Sequence, residues 1–297
     1  MLTEQLNPSA REIDALEVEG IVGLMSMEDS KVVAAVWAAA PQICAAARDA
    51  VNALRAGGSL VYAGAGSSGR MGVLDASEMP PTFNVPPHMV RGVIAGGAPA
   101  LTRSIEGAED DEDEGRRAVR EVSSRDMLLG ISASGKTPFV IAALREGKAR
   151  GARCWLLTCN ETAWDFLDGV ITVIVGPEVV AGSSRLKAGT ATKMILNMIS
   201  TAAMIKLGRV YKGWMVDVVP VNTKLRMRAL GIIRDVTGCT SHDAVELLNA
   251  SGGNAKTAIL MHLKGILKAE AEARLENAGG SLRAALAGGN RDADSAG

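Results

Sequence analysis

Five short runs of apolar residues, rich in β-branched side chains, restrict what this chain can fold into more than any other feature. The runs are bounded by Gly, Ser or Asn and are followed by stretches with helical periodicity. They lie at 59–63, 90–95, 127–132, 154–158 and 170–175. Continuously apolar strands that alternate with helices are typical of a parallel sheet covered on both faces. The sequence therefore predicts an α/β fold with a doubly wound, parallel, five-stranded sheet.

Helical segments are predicted on either side of these strands. We expect an Ala-rich helix that has its N-cap at Asp29-Ser30, bends at Pro41 and runs to about Leu54. A long helix is expected over 184–207, because one of its faces is apolar at three- and four-residue spacing. That face consists of Ala188, Ala191, Ile195, Met198, Ile199, Ala202 and Ile205.

Beyond residue 222 the strand pattern stops. Short helices separated by glycines are expected there, over 228–236, 242–250 and 254–273. We therefore divide the chain into a helical lead-in, a sheet domain, a small C-terminal helical bundle and a polar tail expected to be disordered. These segments cover 1–58, 59–221, 222–287 and 288–297.

Composition excludes several classes of function. The chain has 32 Lys and Arg against 33 Asp and Glu, so it lacks the general basic surface of a nucleic-acid or lipid-binding protein. Its four cysteines form no CxxC pair and its three histidines are scattered, which argues against a metal site or a disulfide framework. The apolar stretch 32–40 is too short to span a bilayer. We expect a cytoplasmic protein with no nucleic-acid or membrane partner, no cofactor and no metal.

Three Gly/Ser loops, each at the start of a helix, are candidates for binding an anion. They are Gly-Ala-Gly-Ser-Ser-Gly at 64–69, Ser-Ala-Ser-Gly-Lys-Thr at 132–137 and Gly-Ser-Ser-Arg-Leu-Lys at 182–187. A helix N-terminus offers unpaired N–H groups and a positive dipole end to a phosphate. The hydroxyl groups that would add donors are those of Ser67, Ser68, Ser132, Ser134, Thr137, Ser183 and Ser184. The alternative is that these are ordinary turns in which serine caps a helix.

The loop at 64–69 fits GxGxxG, yet a dinucleotide site is not indicated. Such a site requires an acidic residue at the end of the next strand, and residues 94–99 contain none. The spacing also differs from that of a Walker A loop. A phosphate monoester therefore suits these loops better than a nucleotide.

Long motifs give the chain a specific resemblance. The loop at 132–137 resembles the phosphate loop of the sugar isomerase (SIS) domain, and the chain as a whole resembles the N-acetylmuramic acid 6-phosphate etherase family. The motifs that carry it are GAGSSGRMGVLDASEMPPTF (64–83), IAGG with EGAED (94–110), GISASGKTPFV (130–140), GPEVVAGSSRLKAGTATKMILNMISTAAM (176–204) and YKGWMVDV (211–218). Three residues depart from the family pattern, Ser67 for Thr, Met79 for Cys and Lys136 for Arg.

The resemblance implies an SIS-like fold and cleavage of the D-lactyl ether of a phosphosugar, in the recycling of cell-wall amino sugars. Removal of the C2 proton, loss of lactate and addition of water at C3 require one general base and one general acid, but no metal. The family match carries these roles to Glu78 and Glu109, with Glu109 as the base. Glu178, in a Gly-Pro-Glu context, is a reserve acid.

Each of these residues also has a structural interpretation. Pro80 and Pro81 are expected to end a helix just after Glu78, where the helix dipole disfavours negative charge and suits a proton donor; the alternative is a solvated helix-end acid. Glu109 belongs to a run of acids at 106–114. For most of the other acids in this run we expect a solvated surface. Lys187 and Arg70 are interpreted as contacts to phosphate or to the lactyl carboxylate, or as surface residues.

Two other classes of function remain open. The chain could be a phosphosugar-sensing regulator without catalysis, which has no need of both Glu78 and Glu109, or an aldose–ketose isomerase. The apolar surplus of the long helix and of the N-terminal helix predicts a homodimer, in which a site shared between subunits is a further hypothesis.

Overall fold

The computed structural model describes residues 1–220 and 222–288, and its centre is a five-stranded parallel sheet. The strands are β1 (Leu60–Gly64), β2 (Val90–Ile94), β3 (Met127–Ile131), β4 (Arg153–Thr158) and β5 (Gly169–Thr172). Their order in the sheet is β2-β1-β3-β4-β5, and every pair is parallel. The predicted α/β class and the five predicted strands are confirmed. The tail at 289–297, predicted to be disordered, lies outside the described residues.

The helices and a short antiparallel strand pair make up the remaining regular structure. Within the described residues the helices are α1 (Val18–Ala38), α2 (Ala40–Arg55), α3 (Gly66–Phe83), α4 (Glu112–Ala118), α5 (Pro138–Ala149), α6 (Lys187–Lys206), α7 (Thr223–Thr237), α8 (Ser241–Ala250), α9 (Ala255–Lys264), α10 (Lys268–Asn277) and α11 (Leu282–Ala287). The strand pair is β6 (Val210–Tyr211) with β7 (Trp214–Met215).

Alternation along β1 shows why both faces of the sheet are covered. Val61 and Ala63 pack in one apolar cluster with Phe139 of α5. Tyr62 points to the other face because successive side chains of a strand alternate, and its hydroxyl donates to Asp75 Oδ2 of α3 at 2.8 Å. Asn197 of α6 donates to the other Asp75 oxygen at 2.7 Å. Asp75 therefore joins α3, α6 and β1 through one buried carboxylate.

The strand order creates a crevice at one edge of the sheet. The chain passes from β1 to β2 on one side and then returns to β3 on the other side of β1. The loops that leave β1 and β3 consequently turn in opposite directions at their carboxyl ends. Such a switch point is where open α/β sheets bind ligands.

The N-terminal helix differs from the prediction in its start and in its continuity. It begins at Val18, and the Ser30 hydroxyl donates to the Met27 carbonyl within the helix instead of capping it. The break lies at Ala39, between α1 and α2, which are bent by 62°. Pro41 occupies the first turn of α2, where its missing N–H is not needed.

Two further helix predictions need correction. The long helix exists as α6, but Met198 and Ile205 of its predicted apolar face are 43 % and 47 % exposed. The buried residues follow a stripe through Ala191, Ile195 and Ile199, and Met198 lies one residue off it. The single helix expected over 254–273 is divided into α9 and α10 because Gly265 adopts a left-handed conformation and ends α9.

The structure divides into two compact units. The first is formed by Met1–Glu78 and Pro86–Thr201, and the second by Met79–Val85 and the chain from Ala202 onward. The second unit has its own apolar core, which includes Val216, Ile233 and Ile259. In the described residues no single helix is long and apolar enough to cross a bilayer, and only the bent pair of α1 and α2 meets that criterion jointly.

Candidate functional site

A cleft of about 430 Å³ lies in the first unit, where the loops after β1 and β3 meet. Its volume is within the range of roughly 300–1,000 Å³ that is usual for small-molecule sites. Ile131 at the end of β3 and Gly66 at the start of α3 both line it. Its polar lining residues are Thr3, Glu4, Ser67, Ser68, Glu109, Asp110, Ser134, Lys136, Thr137 and Ser184.

Glycines bring the first loop close to the strand before it. A Cβ on Gly69 would lie 2.6 Å from the Gly64 carbonyl oxygen, and one on Gly64 would lie 2.6 Å from the Gly69 nitrogen. Gly66 has a φ of +50° at the start of α3, a conformation that glycine adopts without strain. The glycines of GxGxxG thus seat the α3 N-terminus against β1, and Ser67 and Ser68 line the cleft beside it.

The second loop contains a cluster of three hydroxyl groups. Ser132 Oγ lies 3.1 Å from Ser134 Oγ and 2.8 Å from Thr137 Oγ1. The Gly135 amide donates to Ser132 Oγ at 3.1 Å, and Gly135 makes the turn with a φ of +74°. Ser132 is buried behind the wall, while Ser134 and Thr137 line the cleft. The hydroxyl groups are therefore held in place before a ligand binds.

The third loop contributes Ser184 to the cleft, whereas Ser183 is not among the lining residues. Glu178, the reserve acid, is fully buried. Its two carboxylate oxygens accept the amides of Lys187 and Ala188, at 3.0 and 2.9 Å, at the start of α6. A carboxylate there compensates the free N–H groups and the positive dipole end of the helix, so Glu178 stabilises α6 and does not face the cleft.

Lys187 also lies outside the cleft lining, in contrast to its predicted role. Its side chain is 2 % exposed and its Nζ donates to Glu28 Oε2 of α1 at 2.5 Å. Burial raises the pKa of Glu28, but hydrogen bonds from Lys187 and Lys31 outweigh it and lower this pKa from 4.5 to about 2. The ammonium group of Lys187 is thus used in a buried ion pair. Nothing in the sequence around Lys187 indicates that its partner is Glu28.

The acidic run at 106–114 separates into distinct roles. Glu109 and Asp110 lie in a short 3-10 turn and line the cleft. Asp111 caps α4 by accepting the Glu114 amide, and the Glu114 carboxylate accepts the Gly96 amide at 3.0 Å. Glu112 is exposed and pairs with Arg116. The solvated-surface interpretation holds for Glu112, and Glu109 is brought together with the serine loops.

Glu78 is not brought into this cleft. It is exposed and lies twelve residues beyond Gly66 in α3, a distance of about 18 Å along the helix axis. The prolines do not end the helix as expected, because α3 includes both Pro80 and Pro81 and continues to Phe83. Asn84, with a φ of +50°, follows the last helical residue. The helix-end argument for Glu78 is therefore wrong.

Arg70 has a structural use instead of a ligand contact. Its guanidinium donates to the carbonyls of Ala100 and Arg103, each at 3.0 Å. It is not among the lining residues of the cleft. Lys136, one of the departures from the family pattern, does line it and is the basic side chain of the lining.

The sequence interpretation did not include the N-terminal residues of the cleft. Met1, Thr3 and Glu4 line it, and Asn160, after β4, binds this segment through Leu2 and Thr3. No loop motif or helical period marks these positions, since Asn160 and Leu2 are far apart in the sequence.

The second unit holds one group of side chains with metal-binding atoms among the described residues, His242, Asp243 and Glu246 on α8. The Asp243 carboxylate is already used in a capping box with Thr240, whose amide and hydroxyl both donate to it. The Asp243 carboxylate thus has an evident structural function in capping the helix.

Known proteins match the chain over almost its whole length. The etherase "N-acetylmuramic acid 6-phosphate etherase" of Rhizobium rhizogenes is 48 % identical over 290 residues, which are 96 % of this chain and 94 % of that protein. The protein of the same name from Cutibacterium acnes is 47 % identical over 288 residues, 96 % and 95 % of the two chains. The chain belongs to the N-acetylmuramic acid 6-phosphate etherase family.

Two broader comparisons concern the fold of this family member. The family model described as the glucokinase regulatory protein N-terminal SIS domain matches residues 42–148. A solved structure of a protein from Escherichia coli CFT073 has a TM-score of 0.46 and 17 % identity, and the match covers 64 % of this chain and 93 % of that one.

Proposed function

We propose that this member of the etherase family cleaves the D-lactyl ether of N-acetylmuramic acid 6-phosphate. The products are N-acetylglucosamine 6-phosphate and D-lactate. One observation carries the proposal: Glu109 and the three serine loops meet in one cleft, in a chain 48 % identical over 290 residues to a protein named for that activity. In this proposal 59–221 is the phosphosugar-binding domain.

The phosphate of the substrate binds at the second loop. Ser134 and Thr137 present hydroxyl groups, and Ser132 orients them from behind the wall. Ser67 and Ser68 lie beside the N-terminus of α3 and Ser184 comes from the third loop. Helix N-termini and hydroxyl donors bind a dianion without a metal. Lys136 adds positive charge at the rim.

The chemistry that fits this cleft is elimination followed by hydration. In the open-chain sugar the aldehyde makes the C2 proton acidic, and Glu109 removes it as general base. The C3–O bond breaks, lactate leaves as its oxygen is protonated by a general acid, and an unsaturated aldehyde remains. Water then adds at C3 and a proton returns to C2, so all atoms balance.

We infer that the general acid is Glu78 of a second subunit. Glu78 lies about 18 Å along α3 from Gly66, where the first loop lines the cleft, so in this proposal it does not reach the reacting bond of a substrate held by its own chain. Exposed apolar side chains give a second copy of the chain a surface to cover. On α1 they include Val18, Val22, Val33 and Trp37, the last of which is 79 % exposed. Both observations support a homodimer.

A phosphosugar-sensing regulator is the second candidate, because the matching family model is named for a regulatory protein. A sensor binds the sugar phosphate and releases no lactate. An isomerase moves a proton between C1 and C2 and likewise releases none. The free cysteines, Cys44, Cys154, Cys159 and Cys239, fit the reducing cytoplasm that we propose as its compartment.

Isotope labelling tests the proposal directly. The protein is incubated with N-acetylmuramic acid 6-phosphate in water enriched in oxygen-18, and separately in deuterium oxide, and the products are analysed by mass spectrometry. We expect oxygen-18 at the sugar C3 hydroxyl and deuterium at C2. Label in lactate alone would contradict elimination, and binding without lactate release would support the sensor.

A further inference from the structure

The N-terminal residues Met1–Glu4, here called the N-terminal strap, form part of the wall of the phosphosugar cleft. Leu2–Glu4 is a short 3-10 turn, and Met1, Thr3 and Glu4 line the cleft together with the serine loops. Thr3 is only 2 % exposed, and its carbonyl accepts the Gly182 amide at 3.0 Å. One side of the strap is therefore fixed to the loop that carries Ser184.

Asn160 fixes the other side of the strap. Its side-chain oxygen accepts the Leu2 amide at 2.6 Å, and its side-chain nitrogen donates to Thr3 Oγ1 at 3.1 Å. The same nitrogen donates to the Ala133 carbonyl at 2.7 Å. Asn160 is 4 % exposed, and it joins the strap to the second loop, 132–137. A buried amide with both donors and its acceptor in use is costly to replace, since its partners are left unsatisfied.

Glu4 is the strap residue with chemistry suited to a sugar. Its carboxylate lies over the third loop, because a Cβ on Gly182 would be 3.1 Å from Glu4 Oε2. Among the described residues this carboxylate has no hydrogen-bond or ion-pair partner. A carboxylate accepts hydrogen bonds from hydroxyl groups and repels a phosphate. The cleft thus has donors at the serine loops and an acceptor at the strap.

We propose that the strap is a specificity-determining wall, that Glu4 accepts a hydrogen bond from a hydroxyl group of the sugar, and that Asn160 is its positioning residue. The inference rests on the proposed phosphosugar function and extends it. The polarity of the cleft orients the ligand, with its phosphate at Ser134 and its hydroxyl-bearing end at Glu4. Inorganic phosphate fills only the first of these subsites.

The test compares two ligands that are not turned over, N-acetylglucosamine 6-phosphate and inorganic phosphate. Their dissociation constants are measured by calorimetry on protein without an N-terminal tag. We expect Glu4→Ala and Asn160→Ala to weaken binding of the sugar phosphate about tenfold or more, the effect of losing a hydrogen bond to a charged group. Glu4→Ala should change binding of inorganic phosphate less than about twofold, since phosphate does not reach the strap. Asn160 also binds the Ala133 carbonyl of the second loop, so Asn160→Ala should weaken binding of the sugar phosphate by more than it weakens binding of inorganic phosphate. Glu17→Ala, an exposed acid that precedes α1, is the matched control.

A double variant separates positioning from general damage to the fold. If Asn160 acts by holding Glu4, the Glu4→Ala change should cost little more once Asn160→Ala is present. Thr3→Val, which removes one acceptor of Asn160, should act in the same direction more weakly and serves if Asn160→Ala does not fold. Additive effects, or equal weakening of both ligands, would overturn the positioning role of Asn160.

The outcomes also distinguish this inference from the proposed function. If the unaltered protein binds the sugar phosphate but the Glu4 and Asn160 variants bind it equally well, the strap proposal fails and the etherase proposal stands. If the unaltered protein binds the sugar phosphate but releases no lactate from N-acetylmuramic acid 6-phosphate, the etherase proposal fails. The affinities of the variants for the two ligands then still test the strap proposal. If the unaltered protein releases lactate from N-acetylmuramic acid 6-phosphate but does not bind the sugar phosphate, the strap proposal is overturned and the etherase proposal stands.

Discussion

Ser134 is the residue of the hydroxyl cluster that is both oriented from behind and open to the cleft. Its Oγ contacts Ser132 Oγ and accepts the Lys136 amide at 3.2 Å. A hydroxyl that is already oriented loses little entropy when a ligand binds. We expect Ser134→Ala to weaken binding of N-acetylglucosamine 6-phosphate roughly 10- to 150-fold, from the loss of about 1.5–3 kcal/mol.

Calorimetry with the sugar phosphate measures this effect. The control is Ser77→Ala, because Ser77 is an exposed serine on α3 whose hydroxyl donates to the Leu74 carbonyl. Ser77→Ala should bind N-acetylglucosamine 6-phosphate with the affinity of the unaltered protein. Unchanged affinity in Ser134→Ala would remove the phosphate role of the loop.

Glu109 is expected to affect chemistry and not binding. Its carboxylate lines the cleft from a 3-10 turn, and the amide of Glu109→Gln keeps the shape but does not take up a proton. Lactate release and deuterium exchange at C2 should both fall by at least about 100-fold, within the range usual for a general base. The sugar phosphate should still bind with an affinity within a few-fold of normal.

A neighbouring acid provides the comparison for this variant. Glu112 is an exposed partner of Arg116, and surface ion pairs contribute about 0–1 kcal/mol, so Glu112→Gln should keep full activity. Retention of C2 exchange in Glu109→Gln would assign the base to another residue.

Hydroxyl groups of the loops can be predicted to lie together because strand ends place them by sequence position alone, whereas Glu109 is indicated only by the family resemblance. Ser67, Ser68, Ser134, Thr137 and Ser184 reach the cleft as expected. Glu178 and Lys187 do not, because their partners lie elsewhere: Glu28, on α1, is 159 residues from Lys187. Asn160 was missed for the same reason. A contact between distant segments produces no local sequence pattern in either segment.

At the scale of elements, the start of α6 is held by two buried acids. Glu178 accepts its first amides, and Glu28 pairs with Lys187. Removing one partner of a buried pair leaves an uncompensated charge, so Glu28→Gln should lower the free energy of unfolding by about 3–5 kcal/mol. Denaturant titration at neutral pH measures this.

Two further variants isolate the buried pair. In Glu28→Gln/Lys187→Met the unpaired ammonium is gone, and much of the lost stability should return. Lys31→Ala removes only the second partner of Glu28, a lysine whose side chain is 59 % exposed, and should cost less than about 1 kcal/mol. If Lys31→Ala lowered the free energy of unfolding as much as Glu28→Gln does, the importance of the Lys187 pair would be disproved.

The Glu28 pair also predicts how stability depends on pH. The pKa of Glu28 is about 2 in the folded chain against an ordinary 4.5. A lowered pKa stabilises the fold fully above the unfolded pKa, and this contribution is lost as pH falls through the folded one. The stability difference between the unaltered protein and Glu28→Gln should therefore shrink from pH 4.5 toward pH 2. A constant difference over this interval would contradict the pair's titration.

Strands were easier to predict than helix ends. A buried parallel strand is apolar along its length, so its bounds follow from composition, and β2 begins at the predicted Val90. Helix ends depend on which groups are free to cap. Asp29-Ser30 has the composition of an N-cap but lies inside α1, and Pro80-Pro81 lies inside α3. Packing of those helices overrides the local signals.

At the scale of the whole molecule, the sheet predicts where a ligand binds but not how a second subunit contributes. Alternating strands and helices predict a doubly wound sheet, and its switch point between β1 and β3 is where the cleft lies. An apolar helix face, by contrast, has the same composition whether it covers the sheet or a partner. Met198 shares the predicted apolar face of the long helix with Ile195, yet Met198 is 43 % exposed and Ile195 is buried.

The separation of Glu78 from the cleft gives the last prediction, that each active site is completed by the other subunit. In a two-fold dimer the same exchange occurs at both sites, so Glu78→Gln and Glu109→Gln chains should each be inactive alone. After subunit exchange a hybrid dimer holds one intact site, with Glu109 from one chain and Glu78 from its neighbour. Random mixing should then restore roughly a quarter of the unaltered activity.

The control mixes Glu109→Gln with the Glu78→Gln/Glu109→Gln double variant, which cannot form an intact site. Sedimentation checks that the chain is a dimer and that exchange occurs. An active monomer, or mixed variants that stay inactive after exchange, would place both acids in one chain and leave only the two-glutamate mechanism standing.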